Sequence, residues 1–533
     1  MRMMLRMLFD KLFTGSAAGS VGLLCLLLIV VLGPMVWRGM GAVVFRETVE
    51  FRKMQHAIFG RGSQAEILRE TEQVDGLRKP IYDTFDSFAQ GIDVDKQLDR
   101  VREIYREYGD SLRQRNTPAD EFTQLRSTAK TIRDRLTEAL ETVDQSEAIS
   151  LTLQVLEMEI NFAGEPQLAE FFEIARRYKK TVEGIDPGHR QEYAELLREV
   201  RDAMNTLFGP RPDQPKPPLA EHQFGATRWD LVQRDVRFLL YDEQWVQETP
   251  GQPLQKKLIP RKQQFAGTEL EGWFDQIELD LKSLFRPRLR IYWQYFFDDS
   301  TPGHFFGGVG PEILGTLLLT LLAMVVAIPL GIISAAYLVE YGGDTFIIRI
   351  IRTCINTLAG VPSIVFGLFG LAFFVILFGR PCILAAAMTL ALLVLPVIIR
   401  ASEEAIRAVP STYKEASLSL GAGRFRTFMT VILPAAMPGI LTGIILSLSR
   451  AAGETAPILF TGAVFLGPMP RSLLDSTRAL PYGVHGIATG DKVGMTMPHQ
   501  QYGMVMALIV LVLLLNFLAI GIRWRVSKKL RGY

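Results

Sequence analysis

Six long apolar runs constrain this chain more than any other feature. The sequence has 533 residues, and about 20 consecutive apolar residues are enough to cross a bilayer as a helix. Because lipid cannot satisfy backbone hydrogen bonds, such runs fold as helices. The sequence therefore predicts an all-α polytopic membrane protein whose six transmembrane helices lie near 17–37, 313–339, 347–378, 381–400, 436–465 and 503–522.

Basic residues predict the orientation of these spans. Arg2, Arg6 and Lys11 precede the first run, and cytoplasmic flanks of membrane helices are enriched in Lys and Arg. The first run is also longer than the apolar core of a signal peptide, about 7–15 residues, so we expect a retained anchor. Six spans then place both chain ends in the cytoplasm. The short loops predicted to be inside carry the basic residues Arg349, Arg352, Arg407, Lys414, Arg424 and Arg426.

Polar composition sets the domain boundaries. Residues 1–38 form the cytoplasmic N-terminus and first helix, 39–305 a large periplasmic domain inserted between helices 1 and 2, 306–525 the membrane domain, and 526–533 a basic cytoplasmic tail. Three- and four-residue apolar spacing predicts helices over 40–208. A Pro-rich linker at 209–218 and a mixed helical and β segment at 219–305 follow.

Charge and cysteine content exclude several function classes. The 58 Lys+Arg nearly balance the 56 Asp+Glu, which argues against a nucleic-acid partner. Cys25, Cys354 and Cys382 all fall in apolar runs, so the polar domain has no disulfide and no thiolate metal cluster. His56, His222 and His304 are isolated, and we expect them at surface or capping positions.

The chain also lacks the means to hydrolyse ATP through a phosphate-binding loop. That loop requires a Gly-Lys dipeptide, and none occurs in the sequence. A transporter built on this chain would take its energy from another subunit.

Two charges interrupt the fifth apolar run. Arg450 and Glu454 are four residues apart, hence on one face of a continuous helix. Arg450 follows Pro434 by about 16 residues, roughly 24 Å along a helix, which places it deep in the bilayer. A guanidinium offers a fork of donors suited to an oxyanion. The alternative is an internal ion pair that neutralises two buried charges or joins two subunits.

Arg400 is a second candidate for the same pathway. It lies at the inner end of the fourth run. The alternative for this residue is an arginine that extends to the lipid headgroups.

The inner segment between the fourth and fifth runs carries a short element at about 411–423. Pro410 ends the preceding helix, and Gly421 can take the left-handed conformation that stops the next one. Ala416 and Ser417 are small enough for another protein to approach closely, and Glu415 supplies a charge. The pattern predicts a short amphipathic helix on the cytoplasmic face.

This element resembles the coupling helix of ABC importer permeases. Their motif reads Glu-Ala-Ala, three residues, Gly, nine residues, Ile, one residue, Leu-Pro. The chain has Glu415-Ala416-Ser417, then Gly421, then Val431-Ile432-Leu433-Pro434, with Ser and Val as conservative departures. The resemblance implies that Glu415, Ala416, Ser417 and Gly421 dock in a groove of a separate ATPase.

A second resemblance covers about residues 305–525. The segments 448–462, 360–370, 395–410 and 320–337 are similar to the PstA-type permeases of phosphate importers. It implies the type I ABC importer permease fold and a substrate pathway containing Arg450, Glu454, Thr455 and Arg400. Glu454 would accept a hydrogen bond from a protonated phosphate oxygen, a proton that sulfate lacks at neutral pH.

The resemblance also implies an assembly in the inner membrane. The chain would be a transport subunit and not an enzyme, binding no cofactor itself. Its partners would be a homologous PstC-type permease, two PstB-type ATPases that carry ATP and Mg, a periplasmic PstS-type phosphate-binding protein, phosphate and membrane lipid. The first 300 residues fall outside the resemblance.

Two other functions stay open from the sequence. One is an ABC importer permease for a different oxyanion. The other is a membrane receptor or signalling protein. A secondary carrier is disfavoured because the spans show no inverted repeat.

Overall fold

The chain folds into two compact units. The computed structural model describes all residues except 1, 160–164, 213–224, 247–254, 302–303, 344, 465–466, 490–497 and 531–533. The membrane unit comprises Met1–Val44 and Ile291–Tyr533, and the polar unit comprises Phe45–Arg290. The boundaries predicted from composition, at 39 and 305, lie slightly outside those of the polar unit.

The second boundary differs because residues just after 290 pack on membrane helices. Tyr295 is buried, and a Cβ added at Gly503 would lie 2.4 Å from its hydroxyl oxygen. The backbone N–H of Val309 also donates to the Tyr295 carbonyl oxygen at 2.7 Å. Composition cannot reveal this, because the segment is as polar as the residues before it.

The polar unit is mostly helical. After α1 (Arg2–Met40) in the membrane unit, the chain forms β1 (Val44–Glu47), α2 (Val49–Phe59), α3 (Gln64–Ile92), α4 (Val94–Gln114), α5 (Ala119–Glu141), α6 (Gln145–Glu157), α7 (Ala169–Gly184), α8 (Arg190–Phe208), α9 (Trp229–Leu240), β2 (Tyr241–Val246), β3 (Gln255–Pro260), α10 (Leu270–Phe285) and β4 (Arg288–Ile291). Strand β1 pairs with β4, and β2 pairs antiparallel with β3.

One core of this unit joins α4 to α7. Helix α4 contributes Val101, Ile104, Tyr108 and Leu112, whose spacing of three or four residues places them on one buried face. Most of the predicted Pro-rich linker, and His222, lie outside the described residues.

The membrane unit is built from long apolar helices. After β4 it contains α11 (Gly310–Ala336), α12 (Phe346–Ala359), α13 (Ser363–Gly370), α14 (Ile383–Arg407), α15 (Ser411–Ser419), α16 (Leu433–Gly453), α17 (Ala456–Leu459), α18 (Leu480–Thr489) and α19 (Pro498–Leu530). Short π-helical turns extend α11 over Tyr337–Tyr341 and precede α16 over Phe428–Ile432.

Within the described residues, five helices are long and apolar enough to cross a membrane. They are Phe13–Met40, Gly310–Tyr341, Ile383–Arg407, Arg424–Gly453 and His499–Lys529. The pair Phe346–Ala359 and Ser363–Phe378 raises this to six if it forms one span, and it bends by 101°. The bend lies at Pro362, because proline cannot continue the helical hydrogen bonding.

Helix α14 is the centre of the membrane unit and is mostly buried. Glycines bring its neighbours close: an added Cβ would lie 2.4 Å from Ile398 Cγ2 at Gly331, 2.7 Å from Ala405 Cβ at Gly439 and 2.2 Å from Ala401 Cβ at Gly443. Small residues at such crossings let membrane helices pack backbone to backbone. Helices α11 and α16 are therefore held against α14.

Candidate transport site and coupling helix

The helix that carries Arg450 ends sooner than the apolar run predicted. A continuous span over 436–465 is wrong, because α16 stops at Gly453 and Glu454 is extended, with φ −78° and ψ 128°. Helix α17 then begins at Ala456. Pro457 explains the interruption: in a continuous helix its ring would clash with the Gly453 carbonyl, four residues earlier.

The break lies alongside the neighbouring helix α14, and Arg450 lies near the middle of that helix. The close approaches Gly439–Ala405 and Gly443–Ala401 show that α16 and α14 run antiparallel, residue for residue. Extending this register puts Arg450 opposite Val394, near the middle of α14. Past the break the chain reaches the start of α14, where the Cys382 N–H donates to the Thr461 carbonyl oxygen at 2.9 Å.

Arg450 and Glu454 meet across the break. The Nε of Arg450 lies 3.3 Å from Oε1 of Glu454, with side chains 38% and 20% exposed. The expectation that both occupy one helix face is wrong in detail, because Glu454 lies beyond the helix end. Among the described residues, the two terminal guanidinium nitrogens of Arg450 have no protein partner, so they are available to an anion.

A second broken span packs against this one. A Cβ added at Gly367 in α13 would lie 2.7 Å from the Ala456 carbonyl oxygen, and Thr455 immediately precedes that residue. The bend between α12 and α13 comes one helical turn before Gly367. Irregular backbone at membrane depth is tolerated where it is buried or lines a cavity, and broken helices form the solute sites of many transporters.

The predicted coupling element is a short helix fixed at two points. Helix α15 ends at Ser419, and Gly421 follows with φ +86°, a conformation that favours glycine. Lys414 Nζ pairs with Glu340 Oε2 at 2.5 Å, and Ser417 Oγ lies 2.9 Å from Thr427 Oγ1. The serine that departs from the motif therefore bonds within the chain.

The outer face of α15 is left open. Glu415, Ala416 and Gly421 are exposed. Apolar side chains accompany them: Leu420 is 89% exposed and Phe425 70% exposed. We call this surface, formed by Glu415, Ala416, Leu420, Gly421 and Phe425, the coupling surface.

Comparison with known proteins identifies the family. Residues 327–532 match the family described as binding-protein-dependent transport system inner membrane component. The phosphate transport system permease protein PstA 1 of Mycobacterium tuberculosis is 36% identical over 245 residues, covering 45% of this chain and 77% of the relative. The chain belongs to the PstA-type permeases of this family.

Other relatives agree. PstA of Mycobacterium leprae is 33% identical, over 45% of this chain and 79% of the relative. The probable PstA of Methanocaldococcus jannaschii is 35% identical, over 42% and 76%. An inward-facing MetNI methionine ABC transporter structure matches 41% of this chain and 94% of that chain at 20% identity, but its TM-score of 0.30 is too low to support the fold.

In this PstA-type permease, Arg400 belongs to a different cluster from Arg450. Its Nη1 lies 3.7 Å from Glu403 Oε2, while Arg352 Nε and Arg407 Nη2 both lie 3.0 Å from Glu403 Oε1. The Glu403 side chain is only 5% exposed. Glu403 is not among the residues predicted from the sequence, although the arginines three residues before it and four after it are a local signal.

A second buried cluster in the permease includes His304. This residue was expected at a surface or capping position. It is buried, with Nδ1 3.9 Å from Glu312 Oε1. Arg478 also reaches Glu312 Oε1 at 3.5 Å and pairs with Asp299 at 2.6 Å. No local pattern predicts this cluster, because Arg478 lies far along the chain from Asp299, His304 and Glu312.

Proposed function

We propose that this inner-membrane permease translocates inorganic phosphate as one subunit of an ATP-driven importer. The observation that carries the proposal is the broken helix that presents Arg450 halfway along α14, with two guanidinium nitrogens that have no protein partner among the described residues. An arginine fork suits a tetrahedral oxyanion. The names of the PstA relatives supply the choice of phosphate.

Recognition would use both charges at the break. The Arg450 guanidinium would donate to phosphate oxygens while Glu454 accepts a hydrogen bond from a protonated oxygen of the anion. Thr455, beside Glu454, is half-buried and would line the same pathway. Glu454 repels a fully deprotonated oxyanion, so the pair would favour hydrogen phosphate over sulfate.

The energy of ATP hydrolysis would be transmitted to this chain through the coupling surface. A partner ATPase carrying ATP and Mg would dock on Glu415, Ala416, Gly421 and the neighbouring apolar side chains. Lys414–Glu340 and Ser417–Thr427 would pass its movement to α11 and to the turn before α16. Arg400, in the Glu403 cluster, would lie on the inner part of the route.

The assembly would include a homologous PstC-type permease, two PstB-type ATPases and a PstS-type phosphate-binding protein. The polar unit would be periplasmic, following the basic residues of the short loops. This permease would contribute no reaction chemistry.

The test is phosphate uptake by Arg450→Gln. We expect transport to fall at least ten-fold, roughly the effect of losing one charge-assisted hydrogen-bond donor to the anion. Arg523→Gln, an exposed arginine in α19, is the matched control and should transport normally. Membrane insertion of both variants is measured by protease protection.

Normal uptake by correctly inserted Arg450→Gln would refute the role of Arg450. Uptake of sulfate or molybdate in place of phosphate by the unmodified complex would favour a different oxyanion. No ATPase copurifying and no transport defect on deletion would favour a receptor.

A further inference from the structure

A large cleft in the polar unit lies far along the chain from the transport site. Its volume is about 1280 Å³, somewhat above the range of roughly 300–1,000 Å³ that is typical of pockets for small organic ligands. The end of α3, the start of α4, α7 and one face of α8 line it. Neither the proposed transport nor the match to residues 327–532 accounts for it.

Positive charge predominates on its walls. Among the described residues that line it, seven are Lys or Arg and five are Asp or Glu. One face of α8 supplies Arg190, Arg198 and Arg201, separated by the small or apolar residues Ala194 and Leu197. A concave surface with an excess of one charge concentrates ligands of the opposite charge.

Part of this charge is already neutralised. Arg100 Nε pairs with Glu170 Oε1 at 2.7 Å, and Arg201 and Arg211 both pair with Asp86, at 3.3 and 2.8 Å. These ion pairs join the walls of the cleft and give their charged residues a structural role. The other arginines that line the cleft have no such role in these pairs.

Arg177 and Arg198 have no carboxylate partner among the described residues. Arg177 Nη1 donates to the neutral Gln90 side chain at 2.8 Å, and Arg198 is exposed to the cleft without a described partner. Arg190 bonds the Leu140 and Thr142 carbonyl oxygens and so has a structural role. Two lining carboxylates, Asp95 and Glu141, also have no partner among the described residues. Their negative charge would repel an anion and so favour its binding near α7 and α8.

The positive charge of the cleft lowers the pKa of Glu170. Its hydrogen bond with Arg100 is the largest influence and lowers its pKa, and the charge of Arg177 lowers the pKa further. Arg177 therefore adds to a positive potential inside the cleft.

We propose that this cleft binds a small polyvalent oxyanion, such as a short polyphosphate or an organic phosphate, between Arg177 on α7 and Arg198 on α8. Both guanidinium groups line the cleft, and such groups bind phosphate oxygens by charge-assisted hydrogen bonds. The cleft is recessed between helices, which fits a small ligand better than the convex surface of an acidic protein. This site shares no residue with the transport pathway, and the proposal does not depend on the proposed function.

The test is calorimetric titration of the detergent-purified full chain with sodium tripolyphosphate, and separately with inorganic phosphate. We expect saturable tripolyphosphate binding that weakens with added salt. The double variant Arg177→Gln/Arg198→Gln should weaken it by about ten-fold or more, from two lost charge-assisted contacts. Saturable binding of inorganic phosphate without binding of tripolyphosphate would show that the ligand is the free phosphate ion and not a larger phosphate compound.

The matched control is Arg102→Gln/Arg113→Gln, two exposed arginines of α4 outside the cleft, which should bind tripolyphosphate normally. Arg450→Gln should also bind it normally, whatever its transport activity. Equal weakening in the control variant, loss of binding in Arg450→Gln, or no saturable binding by the unmodified chain would each overturn the proposal. The last outcome would favour an acidic protein partner.

Discussion

At the scale of single residues, the pairing of Arg450 with Glu454 determines which oxyanions the site can distinguish. Their contact at 3.3 Å uses only one nitrogen of the guanidinium. The carboxylate therefore has two roles open to it: neutralising Arg450, or accepting a proton-bearing oxygen of the substrate. Substituting the carboxylate separates the two.

Glu454→Gln tests this choice. The amide keeps the shape but removes the negative charge that disfavours sulfate, so we expect sulfate to compete with phosphate uptake about ten-fold better, a difference of roughly 1.4 kcal/mol. The measurement is inhibition of labelled phosphate uptake by sulfate. Glu404→Gln, an exposed carboxylate on α14, is the control. Unchanged competition would leave Glu454 as a neutralising charge only.

At the scale of elements, the interruption between α16 and α17 follows from a local clash. Pro457 lacks the N–H that would bond Gly453, and Glu454 takes an extended conformation between the two helices. The local sequence therefore determines that the helix breaks at this point. How far along α14 the break lies depends on the packing of α16 against α14.

Pro457→Ala should allow α16 to continue through Glu454. We expect phosphate transport to fall several-fold while the apparent Tm stays the same or rises, because a helical hydrogen bond is gained as the site is distorted. Pro438→Ala, inside continuous α16, is the control and should keep its transport. Uptake and detergent-phase thermal unfolding are measured together; full transport by Pro457→Ala would show that the break is dispensable.

Helix α15 and the turn after it, which form the coupling surface, have a proposed role in docking the ATPase that can be tested. Leu420 is 89% exposed, so Leu420→Asp should leave the Tm unchanged. A buried charge at a docked interface is costly, and we expect copurification of the ATPase to fall at least ten-fold. Lys529→Asp, near the end of α19, is the control. Normal ATPase recovery with Leu420→Asp would move the docking site elsewhere.

At the scale of the whole molecule, each unit is held by contacts between distant segments. Arg78 shows this in the polar unit: its side chain is 3% exposed and pairs with Glu50 at 2.6 Å. It also donates to the Phe208 and Leu284 carbonyl oxygens, at 3.0 and 2.7 Å. One guanidinium therefore joins α2, α3, the end of α8 and the end of α10.

Removing this guanidinium should destabilise the polar unit. Arg78→Ala removes the close partner of the buried Glu50 carboxylate and leaves it, among the described residues, only Lys53, at 3.9 Å. Breaking a buried pair typically costs about 3–5 kcal/mol of unfolding free energy. We expect faster hydrogen exchange in α2, α3 and α8, measured by mass spectrometry. Arg69→Ala, an exposed arginine on the same helix, should exchange like the unmodified chain. Equal exchange in both variants would refute a structural role for Arg78.

The sequence by itself determined the features that depend on short stretches. Apolar runs of sufficient length located the membrane helices, because bilayer thickness sets a local requirement. The motif around Glu415 located the short helix α15, and three- and four-residue spacing predicted the helices of the polar unit. Arg450 and Glu454 stood out because charge is rare in such a run.

Tertiary structure decided where those features meet. The depth of the break at Glu454 comes from the register of α16 on α14, and the Glu403 cluster needs Arg352 from another helix. The cleft between α7 and α8 and the Arg78 network likewise join residues tens to hundreds of positions apart. Such contacts are set by the packing of whole helices, which no local pattern of side chains specifies.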